Sequence, residues 1–169
     1  MQTELNKLII GDLEASFLIA DNLNKALNEV SKEFGLKIEN EFRSQGFTCN
    51  YEVNFSKKYS GFWIQKSDWK KIEIGFEFQS SDRDLIYGFR ILKSYTNDAI
   101  SLDLINKLRL LPNNTKSGTN TWPWFKYIDQ PYNDWRKLDT WQAISDGTLE
   151  KSIEEKVELL LKLTEGMEL

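Results

Sequence analysis

Glu73 and Glu77 stand four residues apart in the run Ile72-Glu73-Ile74-Gly75-Phe76-Glu77-Phe78-Gln79, where apolar and polar residues alternate with period two. Such alternation marks a strand whose two faces differ, so both carboxylates fall on one face. An acid on one strand and an acid-x-Lys triplet on the next can hold a divalent cation while the lysine assists an attacking water. Glu77-Phe78-Gln79 has that parity, with Asp68 or Glu52 to supply the other acid, but Gln79 occupies the position of the lysine. Alternating outward carboxylates are ordinary on an antiparallel sheet with one solvated face. The sequence therefore assigns no catalytic residue, and Glu73, Glu77 and Gln79 are the candidates only for a degenerate metal-dependent nuclease site.

Composition narrows the chemistry further. The chain has no histidine, which removes Ser-His-Asp and Cys-His nucleophilic machinery and imidazole-based zinc sites. Its single cysteine, Cys49, sits at an apolar parity position and behaves as a small hydrophobe, pointing to a reducing compartment. No Gly-rich phosphate loop, Cys cluster or spaced-Asp calcium loop is present, so no cofactor is expected. No apolar run approaches the roughly 18 residues of a membrane span, and the N-terminus lacks the pattern of a signal peptide. A cytoplasmic protein without a membrane partner is the expectation.

Two further groupings are candidates for binding. Lys57, Lys58, Tyr59, Trp63, Lys66, Trp69, Lys70, Lys71, Arg90 and Lys93 set cations beside aromatic rings, as single-stranded nucleic acid or an acidic partner would require. They fall in 47–97, which carries eight bases against six acids in a chain of net charge −4. The second grouping is Trp122, Trp124, Phe125, Tyr127 and Tyr132, beside a small-polar loop at 113–120. Trp and Tyr concentrate at protein interfaces, but Trp63, Trp69 and the Trp-Pro-Trp run serve equally well as core.

The elements that must position these groups are legible in order. At 169 residues, with ten Phe, six Trp and six Tyr, the chain is expected to fold as one domain, 1–169. Residues 1–46 read as helical, as one helix or as two with a restart capped at Asp21 or Asn22 and a kink at Gly35; a stripe from Leu5 through Leu13, Phe17, Leu23, Leu27, Val30 and Phe34 to Phe42 is assigned to the core, with a dimerising surface as the other reading. Strands follow at 47–55, 61–66, 72–79 and 85–93, joined by connections of about five residues that favour hairpins. Parity requires partners on the last two strands to have an odd index sum; a sum of 163 places Glu73 opposite Arg90 as a surface ion pair on the outer face. After these, 94–169 reads as helices with the Trp-rich loop between. Asn97 or Asp98 caps the first helix, Pro123 holds its run to a sheet edge or outside the sheet, Trp135 and Trp141 lie on a helical segment, and the last helix begins near Thr148, where Ser152 and Glu155 have capping-box spacing. The fold class is α+β: an antiparallel meander sheet of four or five strands covered by N- and C-terminal helices.

The succession Gly61-Phe62-Trp63-Ile64, Trp69, Ile74-Gly75-Phe76-Glu77-Phe78, Tyr87-Gly88-Phe89-Arg90, Trp122-Pro123-Trp124, Trp135 and a closing Ile/Leu helix resembles the C-terminal region of bacterial proteins grouped with the PD-(D/E)xK nuclease superfamily. The family's nuclease motif lies in a separate N-terminal part without counterpart in this sequence, and no catalytic residue carries over. The resemblance implies a non-catalytic binding or regulatory domain of a defence or restriction-type nuclease, contacting protein or nucleic acid. The residues singled out for contact are Trp63, Lys66, Trp69, Lys70, Lys71, Arg90, Trp122, Trp124 and Phe125. Two alternatives stand beside it: a free-standing immunity or phage anti-defence inhibitor that binds protein, and the degenerate metal-dependent nuclease.

Overall fold

Amphipathic periodicity makes the first described element a single helix. The computed structural model of the protein describes residues 11–52, 57–95, 99–112 and 118–167. Helix α1 runs unbroken over Leu13–Ser44, with no restart at Asp21 or Asn22, because the Asp12 carboxylate already caps it by accepting from the Ala15 amide at 2.9 Å. It continues through Gly35, whose missing side chain makes room for the Tyr51 ring rather than for a kink. Gly46, at φ +87°, ends it in the left-handed conformation expected of that position.

Five strands follow the alternation: β1 (Phe47–Glu52), β2 (Gly61–Lys66), β3 (Ile72–Ser80), β4 (Arg83–Ile91) and β5 (Trp124–Tyr127). They lie in the order β1-β2-β3-β4-β5, with every neighbouring pair antiparallel. Pro123 immediately precedes β5, which is the edge strand its ring permits. Ile72 pairs with Ile91 and Glu73 with Arg90, and the index sum of 163 holds as far as Ser80 and Arg83. The part of the first predicted strand beyond Glu52 lies outside the described residues.

A 3₁₀ turn at Lys93–Tyr95 leads to α2 (Ala99–Arg109), and α3 (Leu138–Asp146) and α4 (Thr148–Leu163) close the chain. Asn97 and Asp98, the predicted caps of α2, lie outside the described residues. Gly147, at φ +81°, joins α3 to α4. The last helix begins at Thr148, as expected, because a left-handed glycine lets α3 end and α4 begin at one residue; Ser152 and Glu155 are interior to α4, and the capping box is not formed.

Ile72, Ile74, Phe76 and Phe78 of β3 and Leu85, Tyr87, Phe89 and Ile91 of β4 form the buried face. One core cluster joins them to Phe34, Ile38 and Phe42 of α1, Leu104, Ile105 and Leu108 of α2, and Ile153, Val157 and Leu160 of α4. Trp135 stands edge-on to Phe34 and Phe78 at 5.6 and 5.2 Å, and it lies in the turn segment before α3, not on a helix. Its backbone amide donates to Asp82 at 2.8 Å, so the segment clips the β3–β4 turn as well as filling the core. The stripe on α1 enters that core only from Phe34 onward: Leu13, Phe17, Leu23 and Val30 are exposed. Among the described residues no helix is long and apolar enough to cross a membrane.

Candidate functional site

The sheet's outer face collects the polar residues of β2, β3 and β4. Strand alternation turns Trp63, Glu73, Gly75, Glu77, Gly88 and Arg90 away from the core face. The expectation of a solvated face fails in its centre, where Glu73 and Glu77 are only 5% and 8% exposed. The Trp122 ring lies over Gly75, which stands between them on β3. Gly75 and Gly88 are cross-strand partners, and a Cβ on Gly75 would lie 2.5 Å from the Trp122 ring. Gly75 is the floor on which that ring rests, while the backbone of β5 closes on Gly88. Thr119 fixes the ring's position, its hydroxyl accepting from the Trp122 amide at 2.9 Å while its own amide donates to the Trp122 carbonyl at 2.9 Å. The Thr121 carbonyl in turn accepts from Ile91 at 2.8 Å, tying the loop to the end of β4.

Under this cover Arg90 Nη1 lies 3.1 Å from Glu73 Oε1, and its guanidinium sits 4.7 Å from the centroid of Trp63. Burial raises the Glu73 carboxyl above its ordinary range, the Arg90 charge opposes that rise, and the Glu77 charge adds to it. Burial likewise raises Glu77, against the lowering effects of Gln79 Nε2, which donates to its Oε1 at 3.0 Å, and of Arg90. Four residues of strand separate Glu73 from Glu77, about 13 Å along the backbone, and Gly75 with the Trp122 ring over it lies between them. Glu52, on β1, is exposed, and Asp68 lies in the β2–β3 turn 3.7 Å from Lys66. Among the described residues no group of three His, Cys, Asp or Glu is arranged to hold a metal. The arrangement can join β3 to β4 by an ion pair stacked on an indole.

The basic-aromatic grouping divides. Lys57, Lys58 and Tyr59 lie at the end of the sheet where Tyr59 donates to the Phe78 carbonyl. Lys66, Lys70 and Lys71 belong to the other end, where the Leu92 amide donates to the Lys71 carbonyl at 2.9 Å and brings Lys93 alongside. Here the ammonium of Lys66 is 5.8 Å from the Trp69 ring and that of Lys71 is 5.9 Å from the Tyr95 ring. Lys70 and Lys93 are exposed.

Most of the predicted aromatic contacts are interior. Trp69 is buried edge-on to Phe89. Trp124 is fully buried, its indole donating to the Pro112 carbonyl at 3.0 Å, and Trp122 is buried over Gly75. Trp63 and Phe125 are half-buried, Trp63 under Arg90 and Phe125 edge-on to the exposed Tyr127. Sequence reasoning missed the cover itself. Its signal was Gly75 between Glu73 and Glu77, a gap on one face that a large ring fills. Comparison with family models, with curated proteins and with solved structures finds no match to this chain.

Proposed function

We propose that this chain is a non-catalytic binding module that contacts an acidic partner through the lysine-bearing end of its sheet. The observation that carries this reading is the gathering of Lys66, Lys70, Lys71 and Lys93 by the β2–β3 turn and the segment after β4, against the Trp69 and Tyr95 rings. It is the largest part of the predicted basic-aromatic grouping that the fold keeps together. The local cationic surface on a chain of net charge −4 selects an anionic ligand and steers its approach. The carboxylates that a nuclease would use are separated along β3 and covered, which supports binding over cleavage. The resemblance to the accessory region of defence nucleases agrees with such a role, the partner being protein or nucleic acid.

Fluorescence anisotropy with a labelled single-stranded oligonucleotide and with an acidic peptide, each over a salt series, tests the proposal. One of the two ligands should bind with an affinity that falls as salt rises, by a slope of about 0.7 per neutralised phosphate for the oligonucleotide. K70E/K71E should weaken that binding at least about tenfold, as expected when two attractive contacts become repulsive. Binding of neither ligand, or binding unchanged in the variant, overturns it. A magnesium- or manganese-dependent cleavage lost in E73Q would instead establish the nuclease alternative.

A further inference from the structure

The apolar face of α1 is twice as long as the body that covers it. From residue 11 to residue 30 no described residue is buried, yet Leu13, Phe17, Ile19 and Leu23 are 52%, 68%, 66% and 51% exposed. Leu13 and Leu23 lie on one seam, which Ile19 and Phe17 flank, while Leu18, also exposed, faces away from it. Leu13, Ser16, Ala20, Leu23, Leu27 and Val30 follow one another at alternating steps of three and four, and the next step is Phe34, where the seam enters the core. Steps of this kind repeat every seven residues and keep one stripe facing a partner helix. Glu14, Asp21, Lys25, Glu29 and Lys32 lie in the opposite sector of the helix at 3.6 residues per turn. The seam is built like the buried part of the same helix and has no cover within the described residues.

We propose that α1 pairs with α1 of a second copy of this chain, antiparallel, about a two-fold axis near Asp21 and Asn22. Three features favour that occupant. First, the seam is self-complementary in this register: Leu13 meets the partner's Val30, Ser16 the partner's Leu27, and Ala20 the partner's Leu23, so each layer joins two seam positions and every contact occurs twice. Second, the charges along the helix are graded. Residues 11–24 carry three acids and no base, while 25–37 carry all three lysines of this part of the helix against two glutamates. Antiparallel pairing lays the acidic half of one helix beside the lysine-bearing half of the other, whereas parallel pairing would lay two acidic halves together. Third, a groove of about 440 Å³ opens where the seam meets the body, lined by apolar Leu27, Val30, Phe34, Trp141 and Ile144 together with charged Glu33, Lys37 and Glu150. In the antiparallel register the partner's Leu13 and Phe17 arrive at its mouth. An apolar protrusion at one end and a partly apolar recess at the other suit a two-fold dimer.

The seam lies on elements other than the lysine-bearing end, so each proposal can fail alone. Sedimentation velocity over a concentration series should show a species of twice the 19.8 kDa chain. F17K/L23K should return it to the mass of one chain, with an unchanged far-UV circular dichroism spectrum because both positions are exposed in the folded chain. Orientation is read by disulfide cross-linking in a C49S background: L13C alone should not cross-link, while an equimolar mixture of L13C and V30C should. A wild-type chain that sediments as a monomer at every concentration overturns the proposal, as does a dimer that survives F17K/L23K. Efficient self-linking of L13C overturns the antiparallel register.

Discussion

Glu73 and Arg90 illustrate how little exposure separates a surface ion pair from a structural one. Arg90 keeps 28% of its side chain exposed, but Glu73 has almost none, so the carboxylate depends on the guanidinium far more than the reverse. Removing the cation should cost about 3 kcal/mol in R90A, the penalty of an uncompensated buried charge, and clearly less in E73Q, where the remaining charge reaches water. Chemical denaturation of the two variants at pH 7 measures the difference; equal losses would mean that Glu73 is solvated in the folded chain. Glu77 gives the complementary case, since no guanidinium contacts it directly and its carboxyl is raised above the ordinary 4.5 mainly by burial. A raised carboxyl means that between 4.5 and its folded value the native state holds more protons than the unfolded one, so stability falls as pH rises through that window. E77Q keeps an acceptor for Gln79 and removes the titration. The gap in melting temperature between E77Q and the parent should therefore open in favour of E77Q above pH 4.5 and close below it. A gap independent of pH would show that Glu77 stays hydrated.

Elements differ in how openly the sequence announces them. The strands β2, β3 and β4 were readable because their outer positions hold Gln65, Glu73, Glu77 and Arg90 between apolar neighbours, and the parity of two alternating runs restricts their register. That same alternation states only that the faces differ. It does not say that the polar face is wet, and the ring that lies over Gly75, between Glu73 and Glu77, belongs to Trp122, far downstream of β4. The stripe on α1 misled for a related reason: periodicity reports that one side of a helix is apolar along its whole length, not how far the body beneath it extends. Trp135 was assigned to a helix because large apolar residues near α3 carry no signal that distinguishes a turn plugging the core from a helix lying on it. The glycine floor can be tested directly. G75A places a methyl 2.5 Å from the Trp122 ring, while G88A drives one into the backbone carbonyl of Trp124. The ring can swing outward and the strand cannot. G75A should lose about 1–3 kcal/mol with a red-shifted tryptophan emission, as expected of overpacking relieved by a side chain. G88A should lose more, because it separates β5 from β4, and amide exchange at Phe125 and Tyr127 should rise with it.

At the scale of the whole molecule, α1 belongs to two structures at once. Its second half is core: Phe34, Ile38 and Phe42 are buried, Lys37 pairs with Glu150 of α4 at 2.5 Å, and the Tyr51 hydroxyl donates to the Ser31 carbonyl beneath its ring. Its first half contributes nothing buried. A chain shortened to begin at Asn24 should therefore keep the sheet, α2, α3 and α4. If only helix propensity and a few partly covered side chains are lost, the cost is about 1 kcal/mol, a fall of about 2–4 °C for a domain of this size. The comparison is informative only when concentration is varied. An antiparallel α1 pair adds stability that grows with protein concentration, since association draws on the folded chain alone. The full chain should then melt higher as it is concentrated, while the shortened chain melts at one temperature throughout, and the two should converge at high dilution. Parallel concentration dependence in both would place the contact elsewhere on the molecule. A large fall for the shortened chain at every dilution would mean that the first half of α1 covers its own core after all.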